Sequence, residues 1–230
     1  MSIKRSDLFF LTFLCVLFLP FALSEDLYNG YQVFNAEHGM VMSFLKFAIL
    51  STVGELLGLR ISTGCYYRKG FGVLPRALVW GFLGLGINMA FIVFSSGAPV
   101  FLEYMGMKNS AAVMAGALTV GKVGIALLIS VVLNSIFAPV FMTLHKVTDT
   151  HILATGGTLK GLFSPIPVGT ILQEMNWKVQ WEFVFKRTIP LFWYPAHTIT
   201  FLLPAEMRVL FAALLGVMLG VILAVAARKG

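Results

Sequence analysis

Charged residues are scarce in this chain. They make up 12% of its 230 residues, whereas hydrophobic residues make up 58%; a soluble domain is typically about 25% charged. A water-soluble fold of this length could not bury so much apolar surface, but a lipid bilayer accommodates it. The shortage of charge therefore excludes the water-soluble classes and predicts an integral membrane protein.

Cysteine is also rare, and the motifs of the common enzyme classes are missing. Cys15 lies in the first apolar run and Cys65 in a basic connection, so the two thiols do not form a disulfide framework. The chain has no Gly-x-Ser-x-Gly elbow, no His-Glu-x-x-His motif and no paired carboxylates on one helix face. We therefore expect no catalytic residue, no metal site and no cofactor.

The few basic residues that are present follow a pattern. When the chain is cut at its long apolar runs, thirteen of the 17 Lys and Arg residues fall in alternate connections. They are Lys4, Arg5, Arg60, Arg68, Lys69, Arg76, Lys146, Lys160, Lys178, Lys186, Arg187, Arg228 and Lys229. Cytoplasmic loops of membrane proteins carry this excess. The net charge of +7 is therefore explained by orientation in the membrane, and we expect no nucleic-acid partner.

The apolar runs predict an all-α polytopic integral membrane protein with about six hydrophobic helices and both termini in the cytoplasm. A helical span needs about 20 residues. The six segments cover residues 8–23, 38–60, 74–96, 111–145, 187–203 and 205–227. The fourth is long enough for Pro139 to kink it, and Pro190 and Pro195 predict a bent or partly unwound fifth segment.

The chain is predicted to form a single membrane domain over residues 1–230. Within it, residues 1–36 would be an N-terminal signal-anchor segment followed by a short outer loop, and residues 37–230 the helical core. Lys4 and Arg5 before an apolar run resemble a secretory signal, and we expect the segment to stay uncleaved. The bacterial inner membrane is the favoured location, with an organelle membrane as the alternative.

Residues 177–186 differ from the spans because apolar and charged side chains separate onto two faces. Trp177, Trp181 and Phe185 share one face at helical spacing, and Lys178 and Lys186 lie on an adjacent stripe. This pattern fits an amphipathic helix at the membrane interface. A plain N-terminal extension of the fifth span, with aromatic anchors, fits it equally well.

The last segment carries a stripe of small residues, each four positions apart: Ala212, Gly216, Gly220 and Ala224. Such a stripe lets two helix backbones approach closely in a membrane. It predicts helix packing, either within this chain or at a homo-oligomer interface.

Five polar side chains inside the apolar segments are the candidate site residues: Lys46, Glu55, Lys122, Asn134 and His197. A charge in the bilayer is costly and normally faces protein or water. Lys46 and Lys122 are expected at similar depth, where together they would line a polar cavity that favours anions. The alternative is that these lysines reach the interface or bond to backbone carbonyls.

The fifth and sixth segments resemble the C-terminal signature of the Mpv-seventeen / peroxisomal membrane protein family. The matching residues are Pro195, Phe201, Pro204 and Arg208, with Phe137-Ala138-Pro139 and Gly54-Glu55 as further similarities upstream. Thr200 and Leu133-Asn134 depart from the family's Asn and Asp-Gln. The resemblance covers about residues 40–228. It implies a small membrane protein of organelle or bacterial inner membranes that forms a permeability pathway.

These observations predict a channel-like or transport-related membrane protein for small polar solutes or anions, with a pathway lined by the five polar residues. The competing hypothesis is a structural or accessory subunit of a larger membrane complex, without transport activity. The expected partners are the lipid bilayer and either other membrane subunits or further copies of this chain.

Overall fold

The computed structural model describes residues 4–227, and over these residues the regular structure is entirely helical. The helices are α1 (Arg5–Leu23), α2 (Glu25–Glu37), α3 (Gly39–Thr63), α4 (Val73–Tyr104), α5 (Ser110–Ala115), α6 (Val120–Ala154), α7 (Leu159–Leu162), α8 (Val168–Glu174), α9 (Trp177–Val179), a π-helix (Gln180–Trp193), α10 (Tyr194–Leu202) and α11 (Ala205–Ala227). Arg228 and Lys229, two of the basic residues in the predicted pattern, lie outside the described residues.

Five described helices are long and apolar enough to cross a membrane: α1, α3, α4, α6 and α11. The all-α, polytopic membrane class is therefore confirmed. The predicted fifth segment, residues 187–203, is divided between the π-helix and α10. Pro190 lies inside the π-helix and Pro195 in the first turn of α10, as expected where proline removes a backbone donor.

Two helix boundaries differ from the sequence expectation. The fourth segment was expected over residues 111–145, but α6 begins at Val120, because the side chain of Thr119 caps it by accepting a hydrogen bond from the Lys122 amide at 3.2 Å. At its other end α6 continues to Ala154. Pro139 lies inside α6.

The N-terminal region is also more helical than predicted. The expected short outer loop before residue 37 is instead helix α2, and this part of the domain prediction is wrong. Ser24 caps α2 by accepting from the Leu27 amide at 3.3 Å. Glu25 and Asp26 in its first turn add a favourable interaction with the helix dipole.

The core of the protein lies between α3, α4, α6, α10 and α11. Its buried side chains include Phe47, Phe91, Ile129, Phe201 and Ala213. α3 and α4 are antiparallel, since Arg76 near the start of α4 bonds to Glu55, whereas Asn88 further along α4 bonds to the Gly39 carbonyl at the start of α3. α11 runs parallel to α3: Asn35, just before α3, bonds to the Glu206 carbonyl, and Gly54 further along contacts Val217.

Helix α1 is attached to this bundle at its N-terminal end and has no buried residue of its own. Asp7 forms an ion pair with the buried Arg60 at 2.6 Å, and Lys4 donates to the Gly64 carbonyl at 2.7 Å. The ring of Phe10 stacks on Tyr66 at 4.5 Å. The start of α1 therefore lies beside the end of α3, on the side where the sequence pattern places the basic connections.

Candidate functional site: a central cavity with a charged floor

A cavity of about 410 Å³ lies at the centre of the bundle. Residues of α3, α4, α6, the π-helix, α10 and α11 line it, and most of them are apolar or aromatic, such as Phe47, Trp80, Phe91, Phe137 and Trp193. Ligand sites are typically concave, largely apolar and equipped with a few placed polar groups. The cavity has the size and composition of such a site.

Charged side chains form the floor of the cavity. Arg76 pairs with Glu55 at 2.7 Å and with Asp149, and His145 Nε2 lies 3.4 Å from Glu55. Trp80 donates its indole N–H to the other oxygen of Glu55 at 2.9 Å. Glu55, His145 and Trp80 also line the cavity, so the charged cluster and the cavity share a wall.

Three helices bring this cluster together. Arg76 lies in the first turn of α4, where its Nε donates to the Phe71 carbonyl at 2.7 Å and its guanidinium lies 4.3 Å from the Phe71 ring. His145 and Asp149 are four residues apart on α6 and so share one face. Because α6 extends beyond the predicted end at residue 145, Asp149 remains on the helix and reaches Arg76.

Glu55 was a predicted site residue, whereas Arg76 was predicted only as a basic residue of a connection and Asp149 was given no role. A signal was present nonetheless: Arg76 lies just inside the third apolar segment, near the same membrane side as Glu55 in the second. Opposite charges at matching depth on consecutive antiparallel segments are candidates for an ion pair.

Asn134 and His197 lie along the cavity wall, as the sequence predicted for a polar pathway. Asn134 is 3% exposed and His197 is 7% exposed, and both belong to the lining. Ser130 ties their two helices together, since its hydroxyl donates to the Tyr194 carbonyl at 2.8 Å. Three of the five predicted residues, Glu55, Asn134 and His197, therefore share one cavity.

Lys46 does not line this cavity, which corrects its predicted role. Its ammonium group bonds to the side-chain oxygen of Asn35 and lies 5.3 Å from the ring centre of Tyr31. Both partners belong to α2. Burial raises the pKa of the Tyr31 hydroxyl further above its ordinary value, so this side chain is neutral at pH 7. Lys46 thus ties α2 to α3.

Lys122 is likewise outside the cavity. Because α6 begins at Val120, Lys122 lies in the first turn of that helix and not in its middle. Its ammonium group donates to the Gly116 carbonyl at 2.7 Å. The expectation that the two lysines line one cavity is therefore wrong. Bonding to a backbone carbonyl, the alternative, describes Lys122.

The small-residue stripe of α11 is divided between packing and the cavity. Ala212 is buried, and a Cβ atom at Gly220 would lie 3.7 Å from the Gly54 carbonyl oxygen of α3. A Cβ atom at Gly216 would meet no heavy atom within 4 Å, and Gly216 lines the cavity. Ala224 is half-buried. The stripe therefore packs within this chain only in part, and its use by a second copy remains a prediction.

Residues 177–186 form α9 and the first half of the π-helix. Trp177 and Trp181 are exposed, whereas Gln180 is buried and lines the cavity. Lys186 and Glu182 form an exposed pair at 3.1 Å. The two aromatic side chains are thus available to the membrane interface, while the opposite face closes the cavity.

Among residues 4–227 the structure contains no group of three or more His, Cys, Asp or Glu side chains that could hold a metal ion. No family model, curated protein or solved structure matches this chain. The resemblance to the Mpv-seventeen / peroxisomal membrane protein family therefore stays a prediction.

Proposed function

We propose that this chain is a transport-related membrane protein whose central cavity holds a small solute during its passage. The observation that carries the proposal is the cavity of about 410 Å³, four of whose lining helices, α3, α4, α6 and α11, are apolar enough to span a bilayer. A space of this size with few polar groups can hold a small organic molecule.

In this proposal the charged floor closes the pathway on the side where the basic connections lie. Glu55 lies between the cavity and Arg76, with which it forms an ion pair, and Arg76 forms a second ion pair with Asp149. Conformational switches often contain ion pairs that exchange partners between two states. In the proposed mechanism, separation of α4 from α6 at this cluster opens the cavity.

The proposal does not include the anion preference expected from the sequence, because Lys46 and Lys122 bond elsewhere. Lys146 is the lysine among the lining residues, and it is exposed. The competing hypothesis, an accessory subunit without transport activity, predicts no flux through the purified chain.

Filling the cavity should abolish transport. Gly216→Leu adds a side chain where a Cβ atom meets no neighbour, so the fold has room for it while the cavity loses volume. In liposomes with the purified protein, shrinking and reswelling in glycerol can be followed by light scattering. We expect the wild type to accelerate glycerol entry and Gly216→Leu to return the rate to that of empty vesicles.

Gly124→Leu is the matched control. Gly124 lies on α6, is exposed, and would also place a Cβ atom in open space, but it does not line the cavity. It should leave the rate of entry unchanged. Equal rates for wild-type, Gly216→Leu and empty vesicles would favour the accessory subunit.

A further inference from the structure

Two buried residues of the cavity lining, Asn134 and His197, each present a polar atom that receives no hydrogen bond from the described residues. Asn134 donates its amide nitrogen to the Ser130 carbonyl at 2.8 Å. A carbonyl oxygen can only accept, so the nitrogen must face Ser130, and the side-chain oxygen of Asn134 is left over. Within residues 4–227 that oxygen has no hydrogen-bond donor.

His197 presents a second acceptor. Its Nδ1 lies 3.2 Å from the Thr200 hydroxyl, and that hydroxyl donates its hydrogen to the Ala196 carbonyl at 3.0 Å. Thr200 must then accept from His197, so Nδ1 carries the proton and Nε2 presents a lone pair. No donor reaches Nε2 from the part of the chain that the structure describes.

The surroundings hold the His197 ring in place. Trp193 stacks on it at 5.0 Å, with an interplanar angle of 16°, and Phe91 meets it edge-on at 5.3 Å. Two free acceptors on the wall of one apolar cavity can each receive a hydrogen bond from an occupant that donates.

We propose that the cavity selects a small molecule that carries a hydrogen-bond donor, such as a hydroxyl, received by Asn134 Oδ1 or His197 Nε2. This inference rests on the proposed function and names the class of solute. The solute carries no positive charge, because the carboxylate in the lining, Glu55, is already paired with Arg76. Two further atoms of the lining are buried without a partner: the Ser51 hydroxyl, which can donate or accept, and the Trp193 indole N–H, which can only donate. A hydroxyl on the solute can accept from Trp193 as well as donate to the wall, whereas an ether oxygen can only accept.

Two probes that differ only in the donor test this selectivity: 4-bromobenzyl alcohol and its methyl ether, which keeps the oxygen but cannot donate. Bromine quenches tryptophan fluorescence on contact. Trp80 and Trp193 line the cavity, whereas Trp177 and Trp181 are exposed on its outside. The full chain carrying Trp177→Phe and Trp181→Phe, in lipid nanodiscs, therefore reports on the cavity.

We expect saturable quenching by the alcohol with an affinity about tenfold higher than that of the ether, the value of one net hydrogen bond. Asn134→Leu and His197→Phe each remove one acceptor and should lower the ratio, and the double variant, which removes both acceptors, should bring it close to one. Gln180→Met is the control. Gln180 is another buried polar residue of the lining, and it lies at the first position of the π-helix, at the opposite end from Trp193. It should preserve the preference for the alcohol.

The possible outcomes separate the two proposals. Equal, saturable binding of alcohol and ether overturns the donor selectivity but leaves a solute cavity. Quenching that rises linearly with both probes, and is the same in Gly216→Leu, means that the cavity takes water alone, and this overturns both. The wild-type ratio decides the selectivity even if a substituted protein fails to fold.

Discussion

Arg76→Met should destabilise the protein by about 3–5 kcal/mol, the largest effect that we expect from a single substitution. Arg76 is buried and is the shared partner of Glu55 and Asp149, two carboxylates on different helices. Methionine keeps much of the length and apolar packing of the arginine stem but leaves both carboxylates without their cation. Unfolding in mixed micelles of increasing sodium dodecyl sulfate measures the change.

Lys186→Met provides the comparison, because it also removes a cation from a pair but at an exposed site. Lys186 and Glu182 are both about half exposed, and such pairs contribute about 0–1 kcal/mol. Adding Glu55→Gln and Asp149→Asn to Arg76→Met should restore part of the lost stability, since the uncompensated charges are then gone. Equal stability of Arg76→Met and Lys186→Met would show that the cluster does not hold the three helices together.

Gly84→Ala should cost about 1–3 kcal/mol, although alanine favours a helix over glycine by about 1 kcal/mol. A Cβ atom at Gly84 would lie 2.6 Å from the Cβ atom of Phe47, well inside van der Waals contact. Phe47 is buried in the core, and its Cβ atom cannot move without its backbone. α3 and α4 would have to separate, which loosens the packing of both.

Gly86→Ala, in the same helix, isolates this packing effect. The nearest atom to a Cβ at Gly86 is the ring tip of Phe137 at 4.0 Å, an ordinary contact. This substitution should be neutral or slightly stabilising in the same unfolding experiment. If both variants are equally stable, the close approach of α3 and α4 at Gly84 is not a constraint on the fold.

Hydropathy was sufficient for the fold class because the cost of exposing backbone in lipid permits few alternatives to helices. Hydropathy was less reliable for the residues at which helices begin and end. Residues 111–119 are as apolar as a membrane helix, yet α6 starts at Val120, where Thr119 can cap it. Conversely, α6 continues past Lys146, because a helix end is set by capping and tertiary contacts as well as by loss of hydrophobicity.

The site residues show a similar division. Polar groups are costly to expose to lipid, and Asn134, Glu55 and His197 line the cavity inside the protein. Depth along a helix does not give direction around it, so the partners of Lys46 and Lys122 could not be read from their positions. Asn35, the partner of Lys46, belongs to α2, a helix that the sequence pattern represented as a loop.

The most direct test of a solute-accessible cavity is the reactivity of a thiol placed on its wall. The background carries Cys15→Ser and Cys65→Ser. In it, Gly216→Cys would place its sulfur in the cavity. Ala213→Cys, three residues earlier on α11, would place its sulfur in the closed core, because Ala213 is fully buried. Labelling of the folded protein in nanodiscs with methyl methanethiosulfonate should modify Gly216→Cys quickly and leave Ala213→Cys unmodified until the protein is unfolded. Equal, slow labelling of both thiols would contradict the account, because it would mean that no solute reaches the centre of the bundle.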